Sequence, residues 1–215
     1  MELEEAIRKA IEKYGVRYSE IFHIDLKREP FKWFLLSVLF GARISKNIAL
    51  RTYKMFEVYN VTSSDRILEE GWDSLVAILD SGGYTRYDFK TADKLLNLAK
   101  NLKNRSLNDI HGEAKNFEDL VSDLKSLARG IGDTTVGIFM REMVGVWEKA
   151  RPYPTHLAKL AAKNLGIEDI ESFWKEKIDG GYAKFESTLV EIGKLCRKRK
   201  CSQCPVRDVC KARNF

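Results

Sequence analysis

The sequence has few cysteines, and all of them lie near its C-terminus. The four, Cys196, Cys201, Cys204 and Cys210, fall within fifteen residues of one another in a chain of 215. Because a secreted disulfide framework usually spreads its cysteines through the fold, reduced thiols are the better interpretation. Four thiolates this close can surround one iron–sulfur cluster or one tetrahedral zinc ion. The cysteines therefore predict a metal-binding loop.

The sequence also lacks long apolar segments. No run of about 18 apolar residues could span a membrane, and residues 1–10, MELEEAIRKA, lack the apolar run of a signal peptide. We therefore expect a cytoplasmic protein that does not bind a membrane. A monomer is the default expectation, since the sequence gives no clue to the oligomeric state. Gln203 is the only glutamine, whereas 32% of the residues are charged. That balance is typical of thermophilic proteins, which favour ion pairs over amides.

The charge is mildly basic. There are 37 Lys and Arg residues against 31 Asp and Glu residues, which gives a net charge of +6 and a pI of about 9.0. This balance suits a partner made of phosphates, although many ordinary proteins are equally basic.

Apolar residues recur at helical spacing along most of the chain, and no segment sustains the strict alternation of a β-strand. Turn signals occur at 63–65, at 82–83 and in the polar stretch 104–115. The fold class is therefore predicted to be all-α. Helices are predicted at 2–14, 31–40, 45–58, 71–80, 88–103 and 116–128.

A glycine-rich turn separates two predicted helical segments. Residues 127–136 read LARGIGDTTV, with the glycines at 130 and 132. Two glycines permit a positive φ and a close backbone approach, and the unpaired N–H groups of the next helix can then bind an anion such as a DNA phosphate. The alternative is a simple connection between two helices, in which a glycine ends the first helix.

Several segments in the same order resemble the helix–hairpin–helix DNA glycosylases of the endonuclease III type, whose hairpin reads Leu-Pro-Gly-Val-Gly. The resemblance covers nearly the whole chain. The similar segments are the buried helix 31–40, the Gly83-Tyr84 turn, the hairpin 127–135, the segment 155–166 that begins Thr-His-Leu, and the cysteine loop 196–210.

The resemblance implies two interlocked helical domains. Residues 29–146 would form a six-helix barrel that ends in the hairpin, and residues 1–28 with 147–215 would form an iron–sulfur domain built from both chain ends. It also implies double-stranded DNA as the partner and association with the chromosome. The implied DNA contacts are Arg43, Gly130, Ile131, Gly132, Thr134, Thr135, Arg197, Lys198, Arg199 and Lys200.

The cysteines follow the spacing C-x4-C-x2-C-x5-C. Zinc sites more often pair two C-x2-C knuckles, and this loop contains only one, so a 4Fe–4S cluster is favoured over zinc. Relatives typically have six residues between the first two cysteines, whereas this chain has four, Arg197 to Lys200. A charge run is usually a solvated surface, but the relatives' loop is basic and touches the DNA backbone.

The usual catalytic residues of the family are absent. Thr134 occupies the position of the lysine that bifunctional relatives use as a Schiff-base nucleophile, which excludes that lyase mechanism. Pro154 occupies the position of the aspartate that precedes the Thr-His pair. The nearest competent side chains are Glu148, Lys149 and Tyr153, each of which also has a structural interpretation: a solvated helix end for the first two and packing for the third.

Arg43 stands where relatives carry a glutamine that fills the gap left by the flipped base. An arginine could stack and hydrogen-bond there, or it could simply cap a helix or carry surface charge. Three functions remain open: a glycosylase without the usual lysine, a non-catalytic module that recognises damaged or abasic DNA, and a zinc-stabilised nucleic-acid-binding protein.

Overall fold

The computed structural model describes residues 2–214, with side chains for residues 2–212, and this part of the chain is helical without a β-strand. The all-α prediction is confirmed. Within the same range, no helix is both long enough and apolar enough to cross a membrane. The α-helices are α1 (Leu3–Tyr14), α2 (Tyr18–Ile21), α3 (Pro30–Phe40), α4 (Lys46–Val58), α5 (Ser64–Ser81), α6 (Asp88–Asn101), α7 (Leu107–Glu113), α8 (Phe117–Ser126), α9 (Asp133–Met143), α10 (His156–Leu165), α11 (Ile170–Lys177) and α12 (Tyr182–Arg197). Short 3-10 turns follow at Cys201–Gln203, Arg207–Val209 and Lys211–Asn214.

Helix α3 is the central buried helix that its sequence predicts. It is apolar nearly all round, and Pro30 occupies its first position, where a missing N–H costs nothing. Trp33 is fully buried and donates a hydrogen bond from Nε1 to the Phe139 carbonyl of α9 at 2.9 Å. The ring of Phe34 packs edge-on against that of Phe139 at 4.9 Å. Helices α3 and α9 are therefore fixed against each other.

Side-chain caps set two helix starts that the sequence did not predict, next to turn signals. Ser63 accepts a hydrogen bond from the Arg66 N–H and starts α5, which bends at Gly71, where φ is 74°. Ser106 and Asp109 form a reciprocal capping box that starts α7 within the stretch predicted as polar turn. Each cap satisfies N–H groups that a helix otherwise leaves unpaired.

The buried apolar residues form two clusters. The first extends from Tyr18 to Ala150 around α3 and α9, and the second joins α1 to α10, α12 and Val206. Both chain ends therefore contribute to the second cluster. The division into a barrel at 29–146 and an iron–sulfur domain at 1–28 with 147–215 stays a prediction. Met1 and Phe215, which that second domain includes, lie outside the described residues.

Candidate functional site

The turn between α8 and α9 has the form of a helical hairpin. Gly130 has a φ of 88°, the left-handed backbone region that favours glycine, whereas Gly132 is extended and caps α9. Gly130, Gly132 and Thr134 are exposed, while Ile131 and Thr135 are 5% and 2% exposed. Of the predicted DNA contacts in this turn, Ile131 and Thr135 can therefore offer only backbone groups, because their side chains anchor it to the core.

The first residue of α9 belongs to a polar cluster that the sequence did not indicate. Tyr153 Oη donates a hydrogen bond to Asp133 Oδ1 at 2.6 Å, and Lys125 forms an ion pair with the same carboxylate. The hydrogen bond from Lys125 lowers the pKa of Asp133, and the hydrogen bond to Asp133 raises the pKa of Tyr153. Because its pKa is raised, the Tyr153 phenol keeps its proton and can donate it in the hydrogen bond to Asp133. This hydrogen bond holds the segment around Tyr153 against α9.

The segment that holds Pro154 lies tightly against α9. Gly137 permits this approach, since a Cβ there would lie 2.8 Å from the Tyr153 carbonyl oxygen. Thr155 then begins α10, and both its backbone N–H and its hydroxyl donate to Glu186 Oε1, at 3.0 and 3.1 Å. Pro154 is thus held by backbone packing against α9 and by the contact of the next residue with a carboxylate from α12.

Glu186 also forms a buried ion pair. Its Oε2 lies 2.8 Å from Arg141 Nε, and both side chains are nearly inaccessible. Next to this pair, Glu142 accepts hydrogen bonds from the Tyr18 and Ser19 N–H groups at 2.6 and 2.9 Å. These contacts connect α2, α9, α10 and α12, so they fix the first hydrophobic cluster against the second.

A cleft of about 800 Å³ lies between the two hydrophobic clusters. Arg43 and Thr134, from two separate predicted DNA-contact segments, line it together with Arg197 from a third. Its volume lies within the roughly 300–1,000 Å³ typical of ligand sites. The cations lining the cleft are Arg43, Lys46, Arg141, Lys194 and Arg197.

One face of α12 supplies a whole wall of this cleft. The residues recur three or four positions apart, which places them on one side of a helix. They are Ser187, Val190, Glu191, Lys194 and Arg197. Among the described residues that line the cleft, Glu191 is the only carboxylate. Sequence reasoning missed Glu191, although this mixed polar stripe was a signal that could have found it.

The basic loop continues directly from that wall. Arg197 ends α12, and Lys198, Arg199 and Lys200 are exposed with it. Between residues 2 and 212, none of these four cations forms an ion pair. The loop therefore offers four exposed positive charges without ion-pair partners among the described residues, and the first of them, Arg197, lines the cleft.

Three of the four cysteines, Cys196, Cys204 and Cys210, pack against the second hydrophobic cluster, which contains the fully buried Val206, whereas Cys201 is exposed. Burial raises the pKa of the Cys196 and Cys204 thiols, and the negative charge of neighbouring thiolates raises it further. Cys210 Sγ lies 3.4 Å from the Asn164 carbonyl of α10. In the part of the chain with described side chains, no three potential ligands are spaced to hold a metal ion. The four soft thiols fit an iron–sulfur cluster or zinc by chemistry, and the cluster stays a prediction.

None of the three predicted catalytic residues, Glu148, Lys149 and Tyr153, lines the cleft. Helix α9 ends at Met143, so Glu148 and Lys149 belong to a turn and not to a helix end. Lys149 Nζ donates to the carbonyls of His111 and Gly112 at 2.7 and 3.0 Å, and Glu148 is exposed. Tyr153, which contacts Asp133 and Lys125, does not line the cleft either, and the catalytic role of all three residues stays a prediction.

No protein-family model and no curated protein matches this chain.

Proposed function

We propose that this protein binds double-stranded DNA and acts as a base-excision DNA glycosylase, which removes damaged bases from the duplex without Schiff-base lyase activity. The observation that carries the proposal is the meeting of the hairpin residue Thr134, the turn residue Arg43 and the basic-loop residue Arg197 at one cleft. These three segments come from distant parts of the sequence, and each was predicted to contact DNA from the resemblance.

The chemistry of the cleft supports a phosphate-rich partner. Exposed cations along its mouth suit the backbone of a duplex, which binds without sequence specificity. The exposed hairpin N–H groups before α9 add a second kind of anion contact. The cleft behind them is large enough for one nucleotide turned out of the duplex, which is how enzymes reach a base inside the stack.

A 4Fe–4S cluster bound by Cys196, Cys201, Cys204 and Cys210 forms part of the proposal. Bound there, it would serve a structural purpose, because it would fasten the basic loop to the end of α12. The residues of the chain itself then hold the DNA: Arg197 to Lys200 neutralise phosphates, and Arg43 reaches toward the gap left by the displaced base.

A specific observation favours a second candidate, a non-catalytic protein that recognises damaged or abasic DNA on the same scaffold. Pro154 cannot act as a carboxylate, and Lys149 Nζ is hydrogen-bonded to two backbone carbonyls. None of the predicted catalytic side chains lines the cleft. The cations and the hairpin that are expected to bind phosphate do not depend on them.

Incubation with modified duplexes separates the two functions. The purified protein is mixed with duplexes that contain uracil, a thymine–guanine mismatch, an oxidised base or an abasic site, and the products are analysed with and without alkali. We expect at least one of the duplexes that carry a damaged or mismatched base to break only after alkali, because alkali cleaves the abasic site that base removal leaves and Thr134 cannot replace the lyase lysine. The duplex with an abasic site breaks in alkali without protein, so it tests binding and strand cleavage without alkali only. Duplex binding without any product would refute the glycosylase and leave the recognition protein.

A further inference from the structure

Glu191, the only carboxylate among the described residues that line the cleft, is held in an asymmetric way. Glu191 Oε1 accepts hydrogen bonds from Lys194 Nζ at 2.9 Å and from Lys46 Nζ at 3.5 Å. No hydrogen bond to Oε2 occurs within the described part of the chain. One oxygen is therefore fixed by the protein, and the other faces a partly open environment, since the side chain is 26% exposed.

Glu191 is charged at neutral pH. Burial raises its pKa, but the hydrogen bonds and charges of Lys194 and Lys46 outweigh that effect and leave the pKa below its ordinary value. A fixed negative charge in a cleft whose lysine and arginine side chains would attract phosphate works against phosphate binding. Its partners Lys46 and Lys194 also line the cleft and occupy only Oε1, so the ion pair between α4 and α12 leaves Oε2 as the oxygen without a hydrogen bond among the described residues.

The proposed reaction needs such a charge. When the N-glycosidic bond breaks, positive charge develops on the sugar, and a carboxylate held nearby stabilises it. Relatives place an aspartate where this chain has Pro154, and the predicted substitute Glu148 is exposed outside the cleft. Among the described residues of the cleft, only Glu191 has the required chemistry.

We infer that Glu191 is the catalytic carboxylate of this protein, with Oε2 facing the sugar of a nucleotide turned out of duplex DNA. This inference rests on the proposed function. The bond between sugar C1′ and the base nitrogen breaks, and the electron pair leaves with the base. Water then supplies a hydroxyl group to C1′ and its remaining proton to the base. Glu191 stays ionised throughout, and Lys46 and Lys194 are positioning residues that hold Oε1.

A charged abasic-site analogue tests the inference directly. Two duplexes are compared, one with a neutral tetrahydrofuran in place of the sugar and one with a protonated pyrrolidine, which imitates the developing positive charge. We expect the wild-type protein to bind the pyrrolidine duplex at least about tenfold more tightly, as transition-state analogues bind more tightly than ground-state ones. Glu191→Gln should abolish this preference while it retains binding to the neutral duplex.

Glu171→Gln is the matched control. Glu171 lies on α11 outside the cleft, is 35% exposed, and forms an ion pair with Lys175 at 2.6 Å. The substitution therefore removes the same charge and a similar lysine contact elsewhere, and the control should keep the preference. With a duplex that the wild type processes, Glu191→Gln should slow single-turnover base release by at least about a hundredfold, whereas Glu171→Gln should not.

The outcomes separate the two proposals. If Glu191→Gln keeps the preference for the pyrrolidine duplex, or keeps normal base release, the role of Glu191 is refuted and the proposed function stands. If the wild type releases no base from any duplex, the glycosylase function fails, and the inference fails with it. If the wild type shows no preference for the pyrrolidine duplex, the inference alone is refuted. Thermal midpoints within a few degrees of one another exclude misfolding as the cause.

Discussion

The buried ion pair between Arg141 and Glu186 gives the sharpest prediction for stability. The two side chains are 7% and 0% exposed, and they are joined at 2.8 Å from Nε to Oε2 and at 3.4 Å from Nη2 to Oε1. Glu186→Gln preserves the shape of the side chain and an acceptor for Thr155. It removes the negative charge and leaves the Arg141 guanidinium buried without its partner.

The expected loss is large. Removal of one member of a buried pair typically costs about 3–5 kcal/mol, because a buried charge is left uncompensated. The nearby carboxylate of Glu142 cannot take over, since both its oxygens accept backbone N–H groups from Tyr18 and Ser19. In a protein of this size, about 1 kcal/mol shifts the thermal midpoint by roughly 2–4 °C, so the midpoint should fall by roughly 6–20 °C.

Thermal unfolding followed by circular dichroism, at one scan rate for every variant, measures the effect. The double variant R141M/E186L removes both charges, and we expect it to melt at a higher temperature than Glu186→Gln, because no buried charge remains. A midpoint for Glu186→Gln within 2 °C of the wild type would refute the reasoning, by the same conversion of roughly 2–4 °C per kcal/mol. A double variant less stable than the single one would refute it as well.

Four further predictions concern DNA binding, the metal, pH and packing. The double variant R197A/R199A should lower the slope of log Kd against log salt concentration by about 1.8, whereas an unchanged slope would exclude phosphate contacts. Cys204→Ser should lose bound iron and the visible absorbance of an iron–sulfur cluster, and a wild type with zinc and no such absorbance would contradict the cluster. Burial and Lys149 lower the pKa of His111, so wild-type stability should be complete above about pH 6.5 and fall as the pH decreases below it. His111→Phe should flatten that dependence of the thermal midpoint, and a variant as pH-sensitive as the wild type would refute this role. Gly137→Ala should cost about 1–3 kcal/mol in denaturant unfolding because its Cβ would meet the Tyr153 carbonyl oxygen, and an unchanged stability would contradict the close packing.

Matched variants control two of these experiments. Lys175→Ala combined with Lys177→Ala removes two cations from α11, outside the cleft, and should leave the salt slope unchanged. Gly112→Ala places a Cβ in open space within α7, so it should be neutral or slightly stabilising. If the controls behave as expected, the effects of the test variants come from where the substituted residues lie in the structure and not from the type of substitution alone.

Local sequence signals predicted most of the helices. The observed helices Leu3–Tyr14, Pro30–Phe40 and Phe117–Ser126 begin and end within about two residues of their predicted bounds, because apolar spacing and the flanking turns act over a few residues. The errors at α5 and α7 have the same origin. Ser63 and Ser106 are typical both of turns and of helix caps, and only the following residues decide which they become.

The site was harder to predict, because it depends on packing between distant segments. Arg43, Thr134 and Arg197 were each identified from the resemblance, but their meeting at one cleft follows from the folded arrangement of α3, α9 and α12. Glu191 carried no motif, so only the helical stripe that places it in the cleft identifies it. The catalytic candidates near Pro154 were chosen by their proximity in sequence, which says little about which side chains share a cavity.

Helix α12 connects the three parts of the proposed site. Its buried face carries Glu186, which holds α9 and the start of α10, and its cleft face carries Glu191. Its last turn carries Cys196, from which the basic loop begins. Because a helix transmits small displacements along its axis, a change in the metal loop should alter the position of Glu191 as well as that of the loop. Removal of a bound cluster should therefore weaken duplex binding and reduce the preference for a cationic sugar analogue together, whereas loss of the loop charges alone should weaken only binding.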